Sequence, residues 1–583
     1  MNGQALGPDI RARPGFAPLT GMTLAQAVTH VTTTNPLYAV TEADIRGQRY
    51  KTFANIPGTT RALLQWSETP QAGFDDYLVF HDERWSYTAF CNDVRRTADA
   101  LQKIGVTQGT PVGIAMRNCP ELLILFMAIS SMGAVAVFLN GWWTTPELDY
   151  ALKDSAAKLV FADGERIRRM TSLIEPLGLH LIGVRDGAEL APSFDAFKAT
   201  GSHVNWPAQA LDTDDDMAVM YSSGTTGHPK GVVLTHRGAM TAVFTWLMQG
   251  ELAALVTPPP PDAPPALRPC FLVVTPLFHV TASHPMFLLS LAAGGKLVVM
   301  DKWDADKAVD LIESLQVTRF LGVPTQSADL IHAAARKDAA LSSLIFVGAG
   351  GAKRPAAQVE GLARAIPSAQ IATGWGMTET NANGIGMAGP DYVARPGACG
   401  RLYPPVQELR FLDDQGRDVP SGEIGEITVR SPSNMRCYLN KLEATAETMQ
   451  DGWLRTGDLG FIDADGIVTI VDRKKNIIIR GGENIACLDV EGALHRHVAV
   501  AEACAFAIPH DRLGEVVGAA VTLHPGARVS EEELIAFLQN QIARFKVPER
   551  IWLHTSALPR GTTDKLDRRS IRTACLEQMK ETT

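Results

Sequence analysis

The sequence of 583 residues is poor in cysteine, with only eight, and no two of them are spaced as Cys-x-x-Cys. That spacing is typical of zinc sites and redox motifs, so the sequence indicates neither, and it indicates no disulfide framework. Reduced thiols are typical of proteins in the cytosol. We therefore expect a cytoplasmic location.

The chain also lacks an excess of basic residues. It contains 54 Lys and Arg against 63 Asp and Glu, a formal net charge of −9, and no long basic run. This balance argues against a dedicated nucleic-acid-binding protein. It does not argue against an anionic substrate, because a local pocket can be positive within an acidic chain.

Long apolar runs are nearly absent, and residues 122–139 form the one stretch that could be taken for a membrane-spanning segment. Its length would suit a short membrane span, but Ser130, Ser131 and Gly133 interrupt it. We expect a buried helix, a turn at Gly133 and a core strand, and no transmembrane segment. The N-terminus shows no basic region followed by an apolar one, so no secretory signal is predicted.

The length of the chain predicts at least two domains. Helical patterns alternate with short apolar runs such as 112–115 and 271–274, which favours an α/β fold with mainly parallel sheets. After Gly400 short strands dominate. The predicted boundaries are an N-terminal extension at 1–65, a large domain at 66–474 and a C-terminal domain at 475–583.

The segment at 221–231 carries the sharpest chemical signal. It reads Tyr-Ser-Ser-Gly-Thr-Thr-Gly-His-Pro-Lys-Gly, so its backbone N–H groups, its hydroxyls and Lys230 can all approach a polyanion. An ordinary P-loop would lead into a helix. Here Lys230 precedes an apolar, β-branched run, so we expect a loop between two strands.

Further segments follow in a fixed order. They are Pro-Leu-Phe-His at 276–279, Thr-Gly-Trp-Gly-Met-Thr-Glu at 373–379, Trp-Leu-Arg-Thr-Gly-Asp at 453–458, Asp-Arg-Lys-Lys at 472–475, Arg-Gly-Gly-Glu-Asn at 480–484, and the segment from Pro559 to Lys565. Together with 221–231 this set resembles the motifs of the adenylate-forming superfamily, which includes AMP-forming acyl-CoA synthetases, peptide-synthetase adenylation domains and luciferases. The resemblance covers about residues 75–575.

The resemblance implies an α/β fold. It has a large N-terminal domain of two αβ-layered subdomains with a small β-barrel-like subdomain, and a small, mobile α+β C-terminal domain. It implies that the protein uses ATP and coenzyme A (CoA) as reactants and Mg²⁺ as a cofactor. The acid attacks the α-phosphate of MgATP to give acyl-AMP and pyrophosphate, and the CoA thiol then takes the acyl group.

The resemblance also assigns roles residue by residue. The catalytic residues would be Lys565, Glu379, Thr226 and His279, of which Glu379 and Thr226 would hold Mg²⁺. Binding of ATP and CoA would involve Ser222, Ser223, Gly224, Thr225, Thr226, Gly227, Lys230, Gly350, Gly351, Ala352, Trp375, Gly376, Met377, Thr378, Asp458, Arg473, Lys475, Gly481, Gly482 and Glu483.

The chemistry of several residues suits these roles. Trp375 offers a flat face for adenine, and Glu379 is a hard oxygen ligand for Mg²⁺. We expect Asp458 in a glycine-containing turn, accepting hydrogen bonds from ribose hydroxyls. By resemblance Lys565 bridges the acid and the α-phosphate, but Asp564 stands where the family usually has Gly.

Two further residues are less sharply defined. His279 either gates the acyl pocket or packs as a loop histidine, and both interpretations stay open. Cys487 is expected to be a packed residue and not a nucleophile, because no histidine is near it in sequence.

The substrate is predicted to be a hydrophobic acid, because the segment after His279 is apolar. A medium- to long-chain fatty acid is favoured, with aryl acids and steroid- or terpene-derived acids as alternatives. An acyl-AMP ligase that loads a carrier protein is an alternative function at this point. A regulatory nucleotide-binding protein is a further alternative, but the presence of Lys565, Glu379 and Asp458 argues against it. The sequence also leaves a homodimer open.

Overall fold

The computed structural model describes residues 21–71, 76–203, 205–206, 209–222, 229–260, 262, 265–351, 354–480, 483–561 and 565–581. The chain forms two compact units. The first unit comprises the chain up to Leu409 together with Val429–Leu454, and the second comprises Arg410–Thr428 and Arg455–Thr583.

The first unit contains a seven-stranded sheet that is mostly parallel. Its strands, in spatial order, are Cys437–Tyr438, Lys230–Thr235, Asp216–Ser222, Val135–Phe138, Pro111–Ala115, Leu159–Ala162 and His180–Gly183. The first two pair antiparallel with each other, and the second pairs antiparallel with the third. The central strands are buried along almost their whole length, as expected of parallel strands covered on both faces.

A nine-stranded sheet forms the other half of this unit. Its strands, in spatial order, are Arg401–Leu402, Ile385–Ala388, Gln370–Trp375, Phe346–Ala349, Arg319–Gly322, Cys270–Val273, Lys296–Val299, Leu78–Phe80 and Glu83–Trp85. The six strands from Gln370–Trp375 to Leu78–Phe80 in this order are parallel. Their carboxyl ends therefore lie at one edge, where open α/β sheets usually bind ligands. A hairpin of Val40–Ile45 and Gln48–Phe53 completes the strands near the N-terminus.

Helices connect these strands. Those of the first unit are Leu24–Thr34, Thr60–Gln71, Tyr87–Lys103, Pro120–Ser131, Thr145–Ser155, Gly164–Met170, Ile174–Leu177, Phe194–Ala199, His236–Val256, Val280–Ala282, Leu289–Ala292, Ala305–Leu315, Pro324–Lys337, Ala356–Ala365, Pro390–Ala394 and Leu442–Thr448. A π-helical turn at Ser283–Leu288 joins Val280–Ala282 to Leu289–Ala292. Several helices begin where the sequence supplies a cap: Thr235, for example, accepts a hydrogen bond from the N–H of Gly238.

Residues 122–139 have the predicted structure. Helix Pro120–Ser131 is buried almost throughout, Gly133 has φ +86°, and strand Val135–Phe138 is buried in the seven-stranded sheet. Among the described residues, one helix, His236–Val256, is long and apolar enough to cross a membrane, whereas Pro120–Ser131 is shorter. Half of the most apolar window of His236–Val256 is buried inside the protein, which is also the behaviour of a core helix.

The second unit contains a smaller mixed fold. Its complete strands are Val468–Arg473, Ile477–Arg480, Glu483–Ala486, Val500–His510, Gly514–Leu523 and Arg550–His554, and its helices are Cys487–Leu494, Glu531–Gln539 and Arg568–Glu581. Strands Glu408–Leu412, Gly425–Arg430 and Trp453–Ile462 run across the division between the units, and Met449–Gln450 lies in the first. The predicted α/β class, with a large N-terminal part and a small C-terminal domain, is confirmed.

Candidate active site

The predicted polyanion loop joins two strands, as expected. Strand Asp216–Ser222 ends at the loop and strand Lys230–Thr235 leaves it, and Ser222 pairs directly with Lys230 in this antiparallel pair. The hydroxyl of Ser222 lies 3.5 Å from the carbonyl oxygen of Lys230. The intervening Ser223, Gly224, Thr225, Thr226 and Gly227 lie outside the described residues.

Lys230 and Glu379 are brought together by a tyrosine. The ammonium of Lys230 lies 4.6 Å from the ring centroid of Tyr438, and the Tyr438 hydroxyl donates a hydrogen bond of 2.8 Å to Oε1 of Glu379. Tyr438 reaches this position because its short strand pairs with Lys230–Thr235, opposite Val232. A cation and a carboxylate predicted to act on one triphosphate therefore share a single neighbour.

Glu379 lies in a 3₁₀ turn, Thr378–Thr380, and is only 5 % exposed. Its carbonyl oxygen accepts a hydrogen bond of 2.7 Å from the N–H of Met435, which anchors the turn to the segment leading to Tyr438. Burying a carboxylate is costly. The hydrogen bond from the Tyr438 hydroxyl offsets part of this cost.

Trp375 and Gly376 form the approach to this turn. Trp375 ends strand Gln370–Trp375 and is half-buried, and its ring covers Gly384, where a Cβ would come within 2.9 Å of the indole. A Cβ on Gly376 would lie 2.3 Å from the carbonyl oxygen of Ala382, so the chain requires glycine there. Met377 and Thr378 are also half-buried and complete this approach.

The glycine run follows the neighbouring strand, Phe346–Ala349. Gly350 donates its N–H to the carbonyl of Gly322 at 3.2 Å, and a Cβ on Gly350 would meet only Thr281, at 3.6 Å. Gly351 has φ +80°, a conformation that favours glycine. Ala352 lies outside the described residues.

His279 precedes the short helix Val280–Ala282 and is half-buried. Its ring lies 4.7 Å from that of Phe278, which in turn meets the half-exposed Trp142 at 5.2 Å. The carbonyl of His279 accepts a bond from the hydroxyl of Ser283, a side chain that also contacts Met220 beside the polyanion loop. This packing agrees with either interpretation of His279.

In the second unit, Asp458 and Arg473 lie opposite each other on paired strands. Asp458 is 4 % exposed, and its Oδ1 lies 3.0 Å from Nε of the half-exposed Arg473. Asp458 was expected in a turn, and this expectation is wrong. It lies within strand Trp453–Ile462, because the positive φ of Gly457 (+70°) disturbs the strand locally without ending it.

Glu426 supports that position from the next strand. Its Oε1 accepts a hydrogen bond of 3.3 Å from the N–H of Gly457, and its Oε2 accepts one of 2.6 Å from the guanidinium of Arg455. Lys474 also approaches Oε2, at 3.8 Å. The 6 % exposed carboxylate of Glu426 therefore fixes the backbone immediately before Asp458.

Three more of the predicted residues of this unit are described, and all three are exposed. Lys475 lies in a 3₁₀ turn, Lys474–Asn476, and Glu483 begins a strand paired with Ile477–Arg480. Lys565 is exposed at a loop end, where its carbonyl accepts the N–H of Gly561 at 2.7 Å. Gly481, Gly482 and Asp564 lie outside the described residues.

Cys487 is packed, as its sequence context suggests. It is 1 % exposed, burial raises the pKa of its thiol, and the thiol donates to the carbonyl of Asn476 at 3.0 Å. A thiol with a raised pKa is a poor nucleophile.

Comparison with known proteins decides the family. The AMP-binding enzyme model matches residues 66–439, and the AMP-binding enzyme C-terminal domain model matches residues 489–565. The chain belongs to the AMP-binding enzyme family. It is an AMP-forming acid–CoA ligase of the adenylate-forming superfamily, and such ligases use ATP, Mg²⁺ and CoA.

Three relatives illustrate the similarity. The chain is 33 % identical to 4-coumarate–CoA ligase 5 of Oryza sativa subsp. japonica over 82 % of this chain and 87 % of that protein. It is 33 % identical to a feruloyl-CoA synthase of Amycolatopsis sp over 84 % and 93 %. The solved structure of a Mycobacterium tuberculosis fatty acyl CoA synthetase matches with a TM-score of 0.69, 27 % identity and coverage of 90 % and 99 %.

Metal binding by this ligase is consistent with its donor set. Within the part of the chain that the structure describes, no group of three or more His, Cys, Asp and Glu side chains is arranged to hold a metal. Mg²⁺ commonly uses one or two carboxylates together with water and substrate phosphates. The buried Glu379 supplies such a carboxylate, and the other predicted ligand, Thr226, lies outside the described residues.

Sequence reasoning missed Tyr438 and Glu426. Tyr438 is 59 positions from Glu379, and Glu426 is 31 positions from Gly457. Neither pairing leaves a local pattern. The available signal was weak: a single tyrosine within a polar segment, and a glutamate at the second position of a short strand.

Two buried histidines of the ligase predict a pH-dependent stability. Burial lowers the pKa of His284 and of His236 to about 4. His284 lies behind the Glu379 turn, with Nε2 3.0 Å from Oδ1 of Asn381 and Nδ1 2.9 Å from the hydroxyl of Ser283. Since the Asn381 amide donates to the carbonyl of Ser433, its Oδ1 accepts from the neutral imidazole.

On acidification we expect the free energy of unfolding to fall. Both folded pKa values lie below the unfolded value of about 6.5, so the unfolded state binds more protons between pH 6.5 and 4. The contribution is complete above pH 6.5 and is lost towards pH 4, at up to about 1.4 kcal/mol per pH unit for each histidine.

Urea unfolding at pH 7.5, 6.0 and 5.0 measures this effect. His284→Gln should reduce the pH dependence of the unfolding free energy, and the exposed His30→Gln serves as the matched control. Equal pH dependence in wild type and His284→Gln would contradict the prediction.

Proposed function

We propose that this ligase activates a hydrophobic monocarboxylic acid, a medium- to long-chain fatty acid, as acyl-AMP and transfers the acyl group to CoA. The observation that supports the adenylation site best is the grouping of Lys230, Tyr438 and Glu379 beside the polyanion loop. It gives one side of the site a cation for phosphate oxygens and a carboxylate for Mg²⁺.

The segment expected to line the acyl pocket, residues 280–289, supports a hydrophobic acid. Residues 280–289 contain no Asp, Glu, Lys or Arg, and the buried His284 is neutral at physiological pH because burial lowers its pKa. Thr281 of this segment lies opposite Gly350. Because glycine has no side chain, the space beside Thr281 stays open there. A substrate carrying a second charge would find no partner on this segment.

In the proposed adenylation step, Lys230 and the loop from Ser222 to Gly227 bind the phosphates. Trp375 would stack on adenine beside Gly350, Gly351 and Ala352, while Gly376, Met377 and Thr378 shape the approach. A Mg²⁺ held by Glu379 and Thr226 would neutralise phosphate charge. The acid's carboxylate oxygen attacks the α-phosphorus, the bond to the β-phosphate oxygen breaks, and pyrophosphate leaves.

The second unit supplies the other proposed groups. Asp458 would accept hydrogen bonds from the ribose, and Lys565 would stabilise the charge that develops between the carboxylate and the α-phosphate. For thioester formation, Arg473, Lys475, Gly481, Gly482 and Glu483 would admit CoA. Its thiol attacks the acyl carbonyl and AMP departs, so the protein acts through proximity and electrostatics without a covalent intermediate.

A second candidate substrate class is favoured by a specific observation. The two curated relatives described above, each 33 % identical to this chain, are named for 4-coumarate and feruloyl-CoA. The aromatic ring of an aryl acid could also pack against the uncharged segment 280–289. Alicyclic acids remain a third type to test within the hydrophobic class.

Product analysis by mass spectrometry tests the proposal. The protein is mixed with MgATP, CoA and a pooled panel of fatty, aryl and alicyclic acids, with ATP omitted in the control. An acyl-CoA accompanied by AMP confirms the reaction, and its mass names the acid. Aryl-CoA alone would support the second candidate, and acyl-AMP without acyl-CoA would support a carrier-loading ligase.

A further inference from the structure

Tyr438 contacts two groups of the proposed adenylation site at once. Its hydroxyl donates to Glu379 Oε1 at 2.8 Å, and its ring centroid lies 4.6 Å from the Lys230 ammonium. The side chain is 7 % exposed. We propose that Tyr438 is a positioning residue, which orients the Mg²⁺-binding carboxylate through its hydroxyl and holds the phosphate-binding lysine through its ring. This inference rests on the roles proposed above for Glu379 and Lys230.

The hydroxyl acts on the orientation of the carboxylate. A hydrogen bond to one oxygen restricts rotation of the Glu379 carboxylate about its terminal bond, and so sets the direction from which a metal can approach. Hydrogen bonds to charged groups are stronger than those between neutral groups. Without the hydroxyl, Glu379 would have to be ordered by the metal itself, which weakens metal binding.

The ring acts on the lysine. An ammonium near an aromatic face is attracted by the negative potential of the ring. Lys230 lies at the first position of its strand, directly after the loop, and Tyr438 lies two residues along on the neighbouring strand, opposite Val232. The sheet therefore holds the ring beside the lysine before any phosphate binds, which reduces the ordering needed on binding.

The backbone makes this arrangement stiff. Strand Cys437–Tyr438 pairs with Lys230–Thr235, and the N–H of Met435 bonds to the carbonyl of Glu379. The same short segment, residues 435–438, thus joins the loop strand to the Glu379 turn. Metal affinity and phosphate affinity should for this reason both respond to changes at position 438, through different atoms.

Two substitutions separate the two contacts. Tyr438→Phe removes the hydroxyl and keeps the ring, whereas Tyr438→Leu removes both. Tyr50 provides matched controls: it is 5 % exposed, its hydroxyl donates to the carbonyl of Gly452 at 3.2 Å, and its ring lies 5.3 Å from the Arg430 guanidinium. Tyr50→Phe and Tyr50→Leu therefore remove the same kinds of contact away from the proposed site.

The experiment measures acyl-AMP formation over a range of Mg²⁺ concentrations. We expect Tyr438→Phe to raise the Mg²⁺ concentration that gives the half-maximal rate about tenfold, because one hydrogen bond to a charged group is lost. At saturating Mg²⁺, Tyr438→Leu should raise the KM for MgATP a further ~3-fold relative to Tyr438→Phe. Thioester formation from supplied acyl-AMP, which needs neither group, should stay within about twofold of wild type.

Mg²⁺-dependent binding of a non-hydrolysable ATP analogue gives a second readout that needs no acid substrate. The same tenfold shift in Tyr438→Phe, absent in Tyr50→Phe, would support the inference. An unchanged Mg²⁺ dependence in Tyr438→Phe would overturn it, as would equal losses in both half-reactions together with a lowered Tm, which indicate a structural role only. Failure of the wild-type protein to form any acyl-AMP would instead contradict the proposed function.

Discussion

Replacing Lys565 by alanine should lower the rate of acyl-AMP formation by about 100- to 1,000-fold, the loss typical of one group that stabilises charge in the transition state. Lys565 is exposed, and the residues that precede it in the sequence, 561–564, are small or polar. In the proposed mechanism its ammonium acts only while the acid attacks the α-phosphate. Thioester formation from supplied acyl-AMP should therefore remain within about twofold of wild type.

The two half-reactions are measured separately, by pyrophosphate release and by CoA-thioester formation from synthetic acyl-AMP. Arg528→Ala removes another exposed cation from a loop of the same unit and should leave both rates unchanged. If both half-reactions fell equally in Lys565→Ala, the proposed role of this lysine would be wrong. An unchanged adenylation rate would assign the developing charge to another group.

The family usually has Gly where this chain has Asp564, beside the lysine. Asp564 lies outside the described residues, so the prediction concerns its charge alone. A neighbouring carboxylate attracts the ammonium and competes with the anionic substrate for it. Asp564→Gly should therefore raise the adenylation rate, and Asp564→Asn should show how much of that gain comes from charge.

Local patterns predicted the parts of the fold that local chemistry determines. The β-branched run after Lys230 and the glycine at 133 were enough to predict a strand after the loop and a helix–turn–strand at 122–139. Asp458 was misplaced because glycine next to a polar residue usually indicates a turn. Here the positive φ of Gly457 is accommodated inside a ten-residue strand.

The site was predictable only where its residues lie within contiguous motifs. Lys230 and Glu379 could each be named from the segments around them, but their shared contact with Tyr438 depends on the pairing of strands Cys437–Tyr438 and Lys230–Thr235. The same limit applies to Glu426, whose role follows from its bond to the N–H of Gly457. Long-range pairing of this kind leaves no periodicity in the sequence.

Replacing Glu379 by glutamine tests the charge at the proposed metal site while preserving its shape. The glutamine Oε1 can still accept the hydroxyl of Tyr438, and the carbonyl of residue 379 can still accept the N–H of Met435. The turn should therefore stay in place and Tm should change little. What is lost is the negative charge that strengthens the binding of a hard divalent cation.

We expect Glu379→Gln to lower the rate of Mg²⁺-dependent acyl-AMP formation about 100-fold or more at physiological Mg²⁺, because the metal contributes several kcal/mol of charge stabilisation to such reactions. Glu251→Gln is the matched control, since Glu251 also accepts a side-chain hydrogen bond, from Asn35 at 3.2 Å, and lies on a helix away from the motifs. Adenylation is measured with Mg²⁺ varied over three orders of magnitude.

The shape of this titration separates two roles. Loss of a ligand charge should lower the maximal rate as well as the metal affinity, so excess Mg²⁺ would rescue Glu379→Gln only in part. Loss of the orienting hydroxyl in Tyr438→Phe should shift the midpoint and leave the plateau nearly intact. Full rescue of Glu379→Gln by excess Mg²⁺ would show that the charge of Glu379 aids metal binding without acting in the chemical step. If the titration curve of Glu379→Gln were the same as that of wild type, Glu379 would not belong to the metal site.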